Sequence, residues 1–236
     1  MSAVGAPNGG RPSPAVARRA AIDRFIPAFM LVTESVRLRS RELSVVVDQA
    51  ISGGVNMVQL RDKHAKREVF AETATKLRIV TWAPPAPARA LLLINGDDTI
   101  AVECAADVHM PETVGSSDTL RDEWYQSLII SRSVHSIEAA LQAERGGADM
   151  LVLGTVFPST SHPGRVAIGV EGVRAVCDSV RIPVIAIGGI TARNAAGVMR
   201  AGASGVAVIS AIFDALDPRA AAAELRAAID EAWKER

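Results

Sequence analysis

Eight short aliphatic runs recur along the chain, and most are continuous rather than alternating. They are 28–33 (AFMLVT), 55–61 (VNMVQLR), 91–95 (LLLIN), 106–110 (ADVHM), 127–133 (SLIISRS), 149–157 (DMLVLGTVF), 183–189 (PVIAIGG) and 205–210 (GVAVIS). A strand wetted on one face alternates apolar and polar residues. An unbroken apolar run is covered on both faces, as in a parallel sheet flanked by helices. Amphipathic stretches separate the runs. In one of them Leu43, Val46, Val47 and Ala50 share a face at helical spacing. Small-residue punctuation (ISGGVNM, CAADVHM, RGGADML, RAGASGV) closes several of these stretches. Glycine takes the left-handed conformation at a helix end at little cost, and the chain then turns into the next strand. Strand–helix alternation eight times over predicts a single-domain (β/α)8 TIM barrel across 26–236. A doubly wound sheet is the alternative, but no second domain accompanies the eight units. The proline-rich stretch 82–90 (WAPPAPARA) ends the second helix and reads as a connecting loop.

Composition narrows the function classes. Lys+Arg and Asp+Glu balance at 26 each, so nothing favours nucleic acid or an anionic membrane surface. No apolar run reaches the ~18 residues a membrane span needs. Two cysteines, Cys104 and Cys177, are too sparse for an extracellular disulfide framework, and a reducing, cytoplasmic location is expected. Residues 1–25 are rich in Gly, Pro and Arg without the apolar centre of a signal peptide, and read as a flexible tail ending in a short helix.

In such a barrel the chemistry sits at the C-terminal ends of the strands and in the loops beyond them. That rule selects Gln59, Arg61 and Lys63 after the second run, Asn95 after the third, His109 in the fourth, and Ser131, Ser133 and His135 at the fifth. The sixth leads into GTVFPSTSHPG with His162, the seventh into Gly188 and Gly189, and the eighth into Ile209 and Ser210. Gly188 and Gly189 let a backbone approach a ligand closely, and Ser210 opens a helix whose free N–H groups favour an anion. Loops after the seventh and eighth strands form the recurrent barrel phosphate site; a plain tight turn is the competing reading. Arg61 can grip a carboxylate or phosphate with two parallel bonds and Lys63 can add a point charge, or the two occupy a solvated loop. His109 is a ligand-orienting or a structural group. His162, and His64 beside Lys63, read as surface residues. His135 is a helix-start residue held by packing, or a proton-transfer group, since imidazole titrates near neutrality. The metal signal is poor: Asp97 and Asp98 follow the third strand and Glu112 the fourth, with no His/Cys spacing for zinc and no dinucleotide fingerprint.

From about Phe29 to Phe213 the chain resembles the thiamine phosphate synthase / TenI superfamily of barrels. The resemblance is carried by GGVNMVQLRDK, DVHM, SVHSIEAALQAERGGADMLVLGTVFPS, IPVIAIGGIT and AGASGVAVISAIF. It implies a small-molecule thiazole phosphate as partner. The superfamily holds two activities. The synthase joins a pyrimidine diphosphate to a thiazole phosphate and releases diphosphate. Its resemblance implies Mg²⁺ held by an Asp directly after the third-strand Asn and by another shortly after the fourth-strand His, plus a Lys in the sixth loop. Here Asn95 is followed by Gly96, then Asp97 and Asp98. His109 is followed by MPETVG, and His162 stands where Lys is expected.

The tautomerase branch moves one proton on a carboxylated thiazole phosphate and needs neither metal nor diphosphate site. SVHSIEAALQAE is especially similar to it, and the resemblance implies His135 as its acid/base group. The departures therefore lead to the expectation of a metal-independent isomerase without a cofactor. His135 would be catalytic; Gln59, Arg61, Lys63, Asn95, His109, Ser133 and His162 would surround the carboxylate or another anion; and Gly188, Gly189, Ile209 and Ser210 would hold the phosphate. A divergent synthase drawing Mg²⁺ to Asp97, Asp98 or Glu112 is the alternative, and a non-catalytic phosphate-ligand sensor is the third reading. Barrels of this kind often pair, which leaves a homodimer open.

Overall fold

The computed structural model describes residues 12–82, 89–112, 126–159, 164 and 166–236. Eight parallel strands close into a barrel in chain order: β1 (Ala28–Val32), β2 (Met57–Leu60), β3 (Leu91–Asn95), β4 (Asp107–Met110), β5 (Ile130–Val134), β6 (Met150–Leu153), β7 (Val184–Ile187) and β8 (Gly205–Val208). Closure is made by β1 against β8, with Ala28 opposite Gly205 and Leu31 opposite Val208. A Cβ on Gly205 would come within 2.3 Å of the Ala28 carbonyl oxygen, so the seam closes on a residue without a side chain. Phe29, Met30, Leu31, Met57, Leu93 and Ile130 are fully buried. Strands covered on both faces explain the unbroken apolar runs.

Helices follow the strands. They include α2 (Leu43–Ser52), α3 (Arg67–Thr81), α4 (Asp98–Glu103), α5 (Ile137–Arg145), α6 (Gly169–Ser179), α7 (Ala192–Arg200), α8 (Ser210–Phe213) and α9 (Pro218–Lys234). The caps are local. Ser136 accepts the Ala139 N–H at 3.1 Å, Asp97 accepts the Ile100 N–H at 2.9 Å, and Thr191 with Asn194 forms a capping box. Val46, Val47 and Ala50 of α2 are buried as their spacing predicts.

The N-terminal boundary differs from the sequence reading. An additional helix, α1 (Pro14–Asp23), belongs to the folded body, with Ile22 and Phe25 buried. Its Arg18 donates to Asp149 at 3.0 Å and also to the Gln126 carbonyl. Asp149 in turn accepts the Ile130 N–H at 2.8 Å. The chain around Phe25 is tied further to Asn56, whose amide donates to the Phe25 and Pro27 carbonyls and whose oxygen accepts the Phe29 N–H. Residues 14–25 are therefore packed rather than tail-like, because a buried guanidinium and two apolar side chains anchor them. Among the described residues no helix is long and apolar enough to cross a membrane.

Candidate active site

A cavity of about 360 Å³ opens at the C-terminal end of the barrel. Gln59, Arg61, Lys63, Asn95, His109, Ser133, His135, Gly188, Gly189, Ile209 and Ser210 all line it, together with Glu112. Strand pleating explains the convergence. Residues two apart on a strand face the same way, so Gln59 and Arg61 on β2 and its extension, and Ser131 and Ser133 on β5, project inward from neighbouring registers.

One arc of the cavity, from β2 to β5, carries the polar side chains. Arg61 leads the loop after β2. Its backbone N–H donates to the Thr33 hydroxyl at 2.9 Å, and that hydroxyl also lies 3.0 Å from the Arg61 carbonyl. Its guanidinium lies 3.9 Å from Glu34, which also pairs with Arg37; Arg37 reaches Asp214 at 2.8 Å. His109 is buried, with Nδ1 3.0 Å from the Ser131 hydroxyl and Nε2 2.8 Å from the Ser133 hydroxyl. Burial pushes the His109 pKa down to about 3, with the nearby Arg61 charge adding to the effect, so the ring is neutral at working pH. His135 sits just past β5 and its Nδ1 is 2.6 Å from the Glu112 carboxylate.

The other arc is backbone. Gly188 (φ +111°) and Gly189 (φ +62°) both lie in the left-handed region where a side chain is strained. Cβ atoms there would come within 2.7 Å of Thr155 Cγ2 and 2.6 Å of the Pro158 carbonyl oxygen. The glycines thus allow the β6 and β7 loops to lie against one another, with the Val156 and Phe157 N–H groups donating to the Ile187 and Gly188 carbonyls. Ser210 begins α8, which runs only four residues. Within that turn the Ile212 and Phe213 N–H groups both donate to the Ile209 carbonyl.

Two sequence candidates are placed elsewhere, and a third is not among the described residues. Asp97 does not line the cavity: its carboxylate caps α4 and lies 3.3 Å from Arg67. Asp98 is in the first turn of α4 and also lies away from the cavity. His162 falls outside the described residues. Sequence reasoning passed over Thr155 and Ser159, which line the cavity from the β6 loop. The barrel rule pointed to that loop, but its single histidine drew attention from the hydroxyls.

Magnesium, implied by the synthase resemblance, can be tested against this donor set. Glu112 is the one described carboxylate on the cavity, and it is engaged by His135. Among the described residues no group of three or more His, Cys, Asp or Glu side chains could hold a metal ion. The position after Asn95, where the resemblance implies a metal carboxylate, is Gly96, and a Cβ there would meet no atom within 4 Å. The described residues do not form a protein-held Mg²⁺ seat.

Fold and cavity together define a (β/α)8 barrel with a polar-lined cavity at the strand C-termini, where barrels of this class carry their sites. The family model for thiamine monophosphate synthase matches residues 29–212. The thiamine-phosphate synthase of Chloroflexus aurantiacus is 41% identical over 204 residues, covering 84% of this chain and 91% of that protein. That of Pyrococcus furiosus is 39% identical over 188 residues, covering 78% and 87%. A solved thiamine phosphate pyrophosphorylase from Pyrococcus furiosus superposes with a TM-score of 0.75 at 35% identity, over 87% of this chain and 96% of that one. The chain belongs to the thiamine monophosphate synthase family, and is a barrel of thiamine biosynthesis.

These relatives correct the expectation of an isomerase. Proteins 37–41% identical to this chain are named thiamine-phosphate synthases, which are transferases. The sequence reading gave three substituted positions more weight than nearly two hundred aligned ones.

Proposed function

We propose that this chain is a thiamine-phosphate synthase, joining a pyrimidine diphosphate to a thiazole phosphate with release of diphosphate. The observation that carries the reading is the 37–41% identity to proteins named thiamine-phosphate synthases, beside a cavity lined by two sets of polar groups. Arg61, Lys63, Asn95 and Ser133 stand on the β2–β5 arc, and Gly188, Gly189, Ile209 and Ser210 on the β7–β8 arc. On the proposed reaction the two phosphorylated substrates take one set each.

On this reading the thiazole phosphate sits at the glycine loop and the start of α8, where backbone N–H groups meet its oxygens. The diphosphate faces the β2–β5 arc. As its carbon–oxygen bond breaks, the electron pair goes to the departing oxygen, and negative charge grows there. Arg61 offers paired N–H donors and Lys63 a mobile point charge to that developing charge. Asn95, Gln59 and Ser133 supply neutral hydrogen bonds. The apolar walls Val32, Val152, Ile187 and Val208 keep water from the electron-poor carbon and leave the thiazole as the nucleophile at hand. No step is assigned to a metal ion.

The test is incubation of the purified chain with both substrates, with and without Mg²⁺, following diphosphate release and thiamine phosphate formation separately. Both products are expected in equal amounts. Lys63→Ala is expected to lower kcat/KM at least tenfold, as loss of a charged hydrogen bond at about 1.5–3 kcal/mol implies. Absence of diphosphate release under either condition overturns the proposal.

A further inference from the structure

Ser131 lies below the cavity and is fully buried, one register deeper on β5 than Ser133. Its hydroxyl meets His109 Nδ1, and on the other side of the ring Nε2 meets the Ser133 hydroxyl at the cavity wall. Three side chains therefore form a string from the barrel interior to the substrate.

A neutral imidazole has one N–H donor and one bare nitrogen acceptor, so the string can run in two directions. With the proton on Nδ1, the ring donates to Ser131. The Ser131 hydroxyl hydrogen then needs another acceptor, and among the described residues His109 is the partner its side chain has. A donor stranded at a fully buried position is strongly disfavoured. Ser133 would meanwhile spend its hydrogen on Nε2 and turn lone pairs toward the cavity, against an anion. With the proton on Nε2, Ser131 donates to Nδ1, Nε2–H donates to the Ser133 oxygen, and the Ser133 hydrogen is left to point into the cavity. In this direction every hydrogen in the string has an acceptor once an anionic oxygen is present.

We infer that Ser131 and His109 are positioning residues that set the polarity of Ser133, making its hydroxyl a fixed donor to an anionic oxygen of the substrate. Neither touches the reacting atoms; each acts through the next. The very low pKa of His109 keeps the ring from gaining the second proton that would make both nitrogens donors. The Cα atoms of His109 and Ser131 are direct register partners across β4 and β5, so the sheet itself holds the spacing. The identity of the anion as the diphosphate rests on the proposed synthase reaction; the direction of the string does not.

The first experiment labels the histidines of the full chain with ¹⁵N and reads which ring nitrogen of His109 carries the proton, with His109→Gln assigning the signal. Proton on Nε2, unchanged from pH 8 to pH 5, is expected. Proton on Nδ1 overturns the inference, and this measurement needs no variant beyond the assignment. The second measures the binding of inorganic diphosphate by calorimetry. Ser133→Ala and His109→Phe are each expected to weaken it about tenfold, the scale of one hydrogen bond to a charged group. The double variant should be no weaker than either single one, because the two residues act as one unit. Independent, multiplying losses overturn the coupling. A chain that fails to release diphosphate from the substrate pair, yet shows the Nε2 proton and the coupled loss, would refute the reaction while upholding the string.

Discussion

Replacing Gly188 by alanine tests whether the turn after β7 is the rigid half of the phosphate cradle. The residue sits at φ +111°, and a Cβ there would lie 2.7 Å from Thr155 Cγ2 and 3.0 Å from both Thr155 Cα and the Val156 nitrogen. A methyl group can swing away; the backbone cannot. The Val156 N–H is bonded to the Ile187 carbonyl at 2.9 Å and the Phe157 N–H to the Gly188 carbonyl at 3.0 Å, stitching the two loops together. Backbone strain of about 1–3 kcal/mol adds to overpacking of about 1–3 kcal/mol, for a destabilisation of about 2–6 kcal/mol. Gly96→Ala supplies the comparison. Gly96 also has positive φ, at +77°, but a Cβ there meets nothing within 4 Å, so it bears the strain without the collision. Urea unfolding should place Gly188→Ala below Gly96→Ala by about 1–3 kcal/mol, the overpacking share alone. The KM for the thiazole phosphate should rise more in Gly188→Ala, because Thr155, which lines the cavity, must move. Equal stability of the two variants would refute the reasoning, since it would mean that the β6 and β7 loops are not held against each other.

Asp107 should reveal itself through pH. Burial pushes its carboxyl up to about 6, a hydrogen bond from the Ile129 N–H opposes this, and nearby Asp149 raises it further. The folded chain holds that proton more tightly than the unfolded chain, so stability falls as pH rises from about 4 to about 6, and the whole penalty is present above 6. Asp107→Asn keeps an oxygen for the Ile129 N–H without the charge. It should stabilise the chain by about 1–3 kcal/mol at pH 7.5 and by nothing at pH 3.5; an equal gain at both values refutes the assignment. Glu34→Gln removes the carboxylate beside the Arg61 guanidinium while keeping the volume. It should raise the KM for the pyrimidine diphosphate several-fold and leave that for the thiazole phosphate unchanged, as steady-state kinetics with each substrate varied would show. An equal rise in both would mean that Glu34 does not act through Arg61.

The barrel was legible because strands sheathed on both sides leave the same mark eight times, and helix-terminating small residues set the spacing. The ends of the strands were less legible. The apolar stretch of the sixth run continues to Phe157, yet β6 ends at Leu153. Val156 and Phe157 leave the ladder to bond the turn after β7, a choice made by residues some thirty positions away. The packing of the short N-terminal helix, though not its existence, was obscured for a similar reason. Its Arg- and Ala-rich composition looks solvated, but Arg18 is paired with Asp149, 131 positions away. Periodicity reports local burial; it does not report a distant carboxylate waiting for a guanidinium.

Most of the cavity residues were also legible, since the rule that strand C-termini face the site needs only strand positions. What could not be read from type alone was the employment of each charge. Asp97 and Asp98 were metal-ligand candidates only under the synthase alternative. In the fold Asp97 satisfies the N–H of Ile100 at the start of α4, a role that the sequence Asp97–Asp98–Thr99–Ile100 equally describes. Counting acidic residues near a strand end therefore measures little about metal binding, because helix starts demand the same side chains at the same places.

The same distinction bears on how the reaction class was misjudged. Missing ligands at three positions argued against a condensation, on the premise that diphosphate departure needs all of them. Identity along 188–204 aligned residues weighs the whole chain rather than three positions of it. A carboxylated phosphate ester also presents two anionic ends, so the two arcs do not separate isomerisation from condensation; the 37–41% identity to proteins named thiamine-phosphate synthases does. Polar residues of β2–β5, the turns after β7 and β8, and the apolar Val32, Val152 and Val208 line one cavity, which faces either pair of charged ends alike.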